Sequence, residues 1–177
     1  MLSKEERKAH NNLFWGDFRK YMQPYRSASG RKTDWSSYPT KIKYIFLRLE
    51  ATSKYVALNF DIQAKDEGVR AIIWEQMGEL KNVLTNAMNG DSGEWIEQTY
   101  NPIVGDFSRI QWKLDGVNYN NPSDKEKIFS FFKEKLLGFD EFYNDFSEIL
   151  ILLAKWNTLY YTFFLSFLLL RLVRIQF

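Results

Sequence analysis

The sequence has no cysteine and a single histidine, His10, among its 177 residues. Disulfides, thiolate nucleophiles and cysteine-ligated zinc are excluded, and a histidine-dependent triad has only one residue, near the N-terminus, to draw on. Proline (4) and glycine (9) are scarce, which removes collagen-like chains and Pro/Gly-rich disorder from consideration. Charge of one sign is lacking as well, since 24 Lys/Arg stand against 22 Asp/Glu for a net +2. What remains is 45% hydrophobic and 18% aromatic, enough for one domain with a real core.

The near-neutral total hides a local imbalance. Residues 1–48 hold eleven Lys/Arg against four Asp/Glu, and residues 49–177 hold thirteen against eighteen. A basic surface is therefore expected in the first third of the chain. The start is too polar to be a signal peptide, so a cytoplasmic location is expected for the folded part.

Ser3-Lys4-Glu5-Glu6 has the form of a capping box and predicts a first helix, with Leu13, Phe14, Phe18, Tyr21 and Met22 at helical spacing. Ile42–Leu49 and Tyr55–Ile62 read as a hairpin; in the second strand Val56, Leu58, Phe60 and Ile62 alternate onto one face. A second helix is predicted over 67–88, with Asp66 as N-cap and Asn89-Gly90 as its stop. Trp95–Tyr100 and Phe107–Leu114 read as a second hairpin. Pro122 and a capping box at Ser123–Glu126 launch a third helix, striped by Ile128, Phe129, Phe132, Leu136, Phe139, Phe142 and Phe146, with Gly138 as a local weakness. The pattern predicts an α+β fold: an antiparallel sheet of about four strands in two hairpins, packed by three helices, plus an apolar C-terminal helix. The expected division is a single domain over 1–148 and a hydrophobic segment over 149–177.

The blocks NNLFWGDFRKYMQP, DWSSYPTKIKYIFLRLEATSKYVALNFDI, IIWEQMGELKNVL and IFSFFKEKLLGFDEFY occur in this order. Together they resemble the uncharacterised bacterial family known as domain of unknown function 4268, over roughly residues 10–146. The resemblance implies an accessory domain, found alone or behind a domain similar to restriction-type nucleases. It implies a connection with nucleic acid or with a nuclease-type protein, and it carries no catalytic residues. The segment after Phe146 departs from the family pattern.

Catalytic patterns are poorly formed. A metal-dependent nuclease needs an acidic residue and then an acid-x-Lys pair on strand positions. The nearest strand match is Asp61 with Gln63-Ala64-Lys65, where a neutral amide replaces the second carboxylate; Glu79-Leu80-Lys81 lies within a helix. Asp61 and Lys65 otherwise read as a strand-end charge pair in water. Gly90-Asp91-Ser92-Gly93 lacks the Lys-Ser pair of a phosphate loop and reads as a turn. His10 is expected to be solvent-exposed, and no cofactor is implied.

Arg26, Arg31, Lys32, Lys41, Lys43 and Arg48 are interleaved with Tyr25, Trp35, Tyr38 and Tyr44. This suits nucleic-acid contact, with cations neutralising phosphates and Trp35 and Tyr38 stacking on bases. Lys41 and Lys43 are expected on one strand face, with Arg109 and Lys113 extending it. The bland alternative makes Trp35 and Tyr38 plugs at the core edge.

Ile149–Val173 contains only Lys155 and Arg171 as charged residues. Its 25 positions suffice for a membrane span, with Trp156, Tyr160 and Tyr161 at an interface. A buried or oligomer-forming helix and an aberrant tail are the alternatives. The functional expectation is a non-catalytic accessory or interaction domain contacting nucleic acid, against a metal-dependent nuclease-like hydrolase or a membrane-tethered scaffold.

Overall fold

The computed structural model describes residues 3–155. Helix α1 (Lys4–Met22) is followed by strands β1 (Ile45–Ala51) and β2 (Tyr55–Ile62), helices α2 (Glu67–Glu79) and α3 (Lys81–Ala87), strands β3 (Glu94–Asn101) and β4 (Gly105–Asp115), and helix α4 (Lys125–Lys155). The strands form one antiparallel sheet in the order β1-β2-β4-β3, so the fold is α+β.

Alternation builds the sheet's two unlike faces. Val56, Leu58, Phe60 and Ile62 join Ile110 and Trp112 of β4 in the buried core, where Phe139 of α4 lies against both Phe60 and Trp112. Phe14 and Phe18 of α1 meet Phe129, and Phe18 also meets Phe132. Residues of opposite parity, Ala57, Asn59 and Asp61, occupy the other face and are buried too.

α1 begins as expected: Ser3 accepts from the Glu6 N–H while the Glu6 carboxylate accepts from the Ser3 N–H. These bonds hold the Glu6 carboxyl below its usual range. Three local expectations change. The second helix breaks at Leu80 (φ −88°, ψ 1°), just past Gly78. The break re-aims the final turn, so that Leu84 and Met88 enter the core and Ala87 meets Gly138 of α4. α4 does not start on a Ser123 box. Asn121 caps a short 3-10 turn by accepting from the Ser123 N–H, and the Asp124 carboxylate accepts from the Asn118 N–H. His10 is half-buried rather than exposed, because the chain after β4 returns to α1 and sets Tyr119 edge-on to its ring at 5.3 Å.

α4 continues through Glu148–Ile149 to Lys155 without interruption, so the position expected to divide domain from tail lies within one helix. Leu150 is buried in the core, and the Ala154 carbonyl accepts from the Tyr44 hydroxyl at 2.7 Å. Among the described residues no helix is long and apolar enough to cross a membrane. The remainder of the proposed span, from Trp156 onward, lies outside the described residues.

Candidate functional site

The basic loop between α1 and β1 is fastened to the core at several points. Trp35 is buried, and its indole N–H donates to the Tyr25 carbonyl at 3.2 Å. The Asp140 carboxylate of α4 accepts from the Ala28 N–H (2.5 Å) and from the Tyr38 hydroxyl (2.6 Å). The Tyr143 hydroxyl donates to the Thr40 carbonyl, and the Thr40 hydroxyl donates to the Ile45 carbonyl at 2.5 Å. The Tyr38 ring stands edge-on to Phe139 and Tyr143. Burial, and after it the hydrogen bond to Asp140, pushes the Tyr38 phenol well above its ordinary value; burial alone raises Tyr143.

This fastening separates the expected contact residues into two sets. Trp35 has its faces covered, and Tyr38 spends its hydroxyl on Asp140, so both serve as plugs. Arg26, Arg31, Lys32, Lys41 and Lys43 are exposed. Among the described residues none of these five has a carboxylate within 4.0 Å. By contrast Arg109, Lys113, Lys125 and Lys135 are each paired. Arg31, Lys32 and Lys41, with Ser27, Ser29 and Thr33, line a hollow of about 220 Å³ that has Asp140 in its wall.

Lys41 and Lys43 are not on a strand. Lys41 adopts φ +61°, and the Ile45 N–H donates to the Ile42 carbonyl, so residues 41–44 turn before β1 begins. Lys43 and Lys41 therefore belong to the loop with Arg31 and Lys32. Arg48 is on β1 and faces inward over the sheet: its Nε is 3.7 Å from Asp61, and its guanidinium carbon lies 4.4 Å from the centre of the Phe46 ring.

Asp61 is not a strand-end residue in water. Its side chain is 1% exposed, and Arg109 on the neighbouring strand grips both oxygens, Nε to Oδ1 at 2.7 Å and Nη2 to Oδ2 at 2.9 Å. Register places them directly opposite each other, and the planar guanidinium matches the carboxylate edge. Burial works against the Arg109 charge, but the bonds and charge of Asp61 outweigh it and hold the guanidinium above its ordinary value. Beside this pair, Glu50 accepts from the Tyr55 hydroxyl (2.6 Å) and Asn59 Nδ2 (2.9 Å), and Gln111 donates to Asn59 Oδ1 (2.7 Å). The polar face of the sheet is thus satisfied by its own side chains. Among the described residues no group of three or more His, Cys, Asp or Glu is placed to hold a metal ion.

Neither the Asp140 anchor nor the Asp61–Arg109 clasp is visible as a sequence motif. Asp140 is 112 residues from Ala28, and only the strand register brings Arg109 to Asp61.

Fold and site together define an α+β domain that displays a fastened, unpaired basic loop beside one edge of its sheet. The chain belongs to the family described as domain of unknown function (DUF4268), whose profile matches residues 11–147. No curated protein and no solved structure matches the chain.

Proposed function

We propose that the protein is a non-catalytic interaction domain that contacts nucleic acid through backbone phosphates, using the loop between α1 and β1. The observation that carries this reading is the loop's set of five exposed, unpaired cations, Arg26, Arg31, Lys32, Lys41 and Lys43, held on a backbone fixed to α4 by Asp140 and Tyr143. Fixing the loop in advance lowers the ordering cost of binding. Because Trp35 and Tyr38 are committed to the core, the contact is made by charge, with little base readout. The accessory role, beside a nuclease-type protein in the cytoplasm, is part of the same reading and rests on the family resemblance.

Titration of a fluorescently labelled DNA duplex and of single-stranded RNA tests it. Replacing Arg31, Lys32, Lys41 and Lys43 together by alanine is expected to weaken binding roughly a hundredfold or more at about 50 mM salt. All four are exposed, so the melting temperature should stay within a few degrees of the parent. Equal affinity of parent and variant, or no binding by the parent at low salt, contradicts the proposal.

A further inference from the structure

We propose that the free edge of β1 accepts an extended acidic segment of a partner protein, which pairs with Leu47 and Leu49 and adds a fifth strand to the sheet. Strand register leads to those two residues. The Gln63 N–H donates to the Tyr44 carbonyl and the Thr52 N–H to the Tyr55 carbonyl. Both pairs belong to the register that sets Ile45 opposite Ile62 and Ala51 opposite Val56. In an antiparallel ladder, residues that bond to the partner strand alternate with residues whose amides face away. Phe46, Arg48 and Glu50 therefore point their backbone groups at β2, and Ile45, Leu47, Leu49 and Ala51 point theirs outward.

The fold closes the first of these outward positions and leaves Leu47, Leu49 and, at the end of the strand, Ala51. The Ile45 N–H donates to the Ile42 carbonyl and its C=O accepts from the Thr40 hydroxyl. Among the described residues the outward groups of Leu47 and Leu49 have no such partner outside the sheet. Leu47 and Leu49 thus place two donors and two acceptors along this edge, with Ala51 beyond them.

The opposite edge of the sheet is defended and this one is not. β3 carries a register shift between Ile96 and Thr99, exposed Glu94 and Glu97, and a proline one residue past its end, features that disrupt pairing with another strand. β1 pairs in unbroken register over all seven residues and contains neither a bulge nor a proline. Its two charged residues lie over the sheet, Arg48 above Phe46 towards Asp61 and Glu50 bonded to Tyr55 and Asn59, and neither covers the edge.

A groove of about 950 Å³ runs along this edge, between residues 36–43 and the strand. Its cationic residues are Lys41, Lys43 and Arg48, and no carboxylate belongs to its lining. Arg48 is taken up by Asp61, so the charge of Lys41 and Lys43 selects an acidic strand and disfavours a second copy of this chain, which would bring the same two cations together. Pairing by main-chain bonds supplies affinity, and the flanking charges supply the choice of partner.

The test uses the full chain and an end-capped peptide of alternating valine and glutamate, about eight residues long, with a valine-lysine peptide as control. The acidic peptide is expected to slow hydrogen exchange at the Leu47 and Leu49 amides. Leu49→Pro removes an outward N–H and none of the bonds to β2, and it should weaken peptide binding about tenfold or more. Leu49→Ala should change it less than about threefold, and neither variant should alter nucleic-acid binding. Should Leu49→Pro fail to fold, Lys41→Glu with Lys43→Glu must shift preference towards the lysine peptide. Equal binding of both peptides, no binding of either, or unaltered binding by the available variant overturns the proposal. So does a concentration-dependent dimer that the same variant abolishes, which would give the edge to a second copy.

Discussion

Arg109→Ala is expected to lower the free energy of unfolding by about 3–5 kcal/mol, read from urea denaturation. The cost arises in Asp61, whose side chain is 1% exposed and whose two oxygens are both held by Arg109. Without that guanidinium the nearest cation is Arg48, at 3.7 Å from one oxygen and itself half-exposed. Gln63 Nε2 adds a long bond of 3.4 Å. These leave a buried carboxylate poorly compensated, and a buried charge without its partner costs more than the pair contributes. The double variant Asp61→Leu, Arg109→Met should therefore recover most of the loss. A loss below about 1 kcal/mol for the single variant would mean that Asp61 is far better solvated than its burial implies.

Gly138→Ala carries the second large effect, and here two principles predict opposite signs. In a helix interior alanine is favoured over glycine by about 1 kcal/mol, so helix propensity alone makes the change stabilising. In the folded protein, however, a Cβ at this position stands 2.3 Å from the Ala87 carbonyl oxygen and 3.4 Å from Met88 Sδ. The obstacle is backbone at the end of α3, fixed in place because Lys135 on the same face of α4 donates to the Met88 carbonyl at 3.3 Å and pairs with Asp91 at 2.9 Å. A cation at a helix C-terminus also complements its dipole. The clash must be relieved by separating α3 from α4, and a net destabilisation of about 3 kcal/mol is expected. In a chain of this size that corresponds to a fall of roughly 6–12 °C in Tm. A rise in Tm would show that α3 does not cross α4 at Gly138.

Much of the architecture is legible in the sequence because it depends on short-range periodicity. Val56, Leu58, Phe60 and Ile62 announce a strand with one core face, and Phe129, Phe132, Leu136 and Phe139 announce the buried stripe of α4. Asn59 and Asp61 on the opposite face are equally buried, and nothing local signals it, since their covering comes from Arg109 and Gln111 across the sheet. Gly138 reads as a weakness when only its helix is considered; its role depends on α3, about fifty residues earlier in the chain. The start of β1 is misplaced by three residues because Ile42 is β-branched and suits a strand. The turn that delays it depends on Thr40, whose hydroxyl binds two carbonyls at once.

The basic loop shows the same division. Its charge is plain in the sequence, whereas the use made of its aromatic residues is not: an indole or phenol ring serves equally well as a stacking surface or a plug. Asp140 decides the matter for Tyr38, and the Tyr25 carbonyl helps decide it for Trp35. Both partners are unremarkable residues in their own segments. What they hold in place is a run of cations that, among the described residues, have no carboxylate within 4.0 Å, and the proposed contact with a polyanion rests on these.

The salt dependence of nucleic-acid affinity tests this account most directly. If all five loop cations meet phosphates of a DNA duplex, the logarithm of the association constant should fall against the logarithm of salt concentration with a slope of about −4.5. The variant lacking Arg31, Lys32, Lys41 and Lys43 should keep a slope near −0.9, the share of Arg26 alone. A parent protein that fails to bind at low salt, or a slope that these four substitutions leave unchanged, would contradict the account.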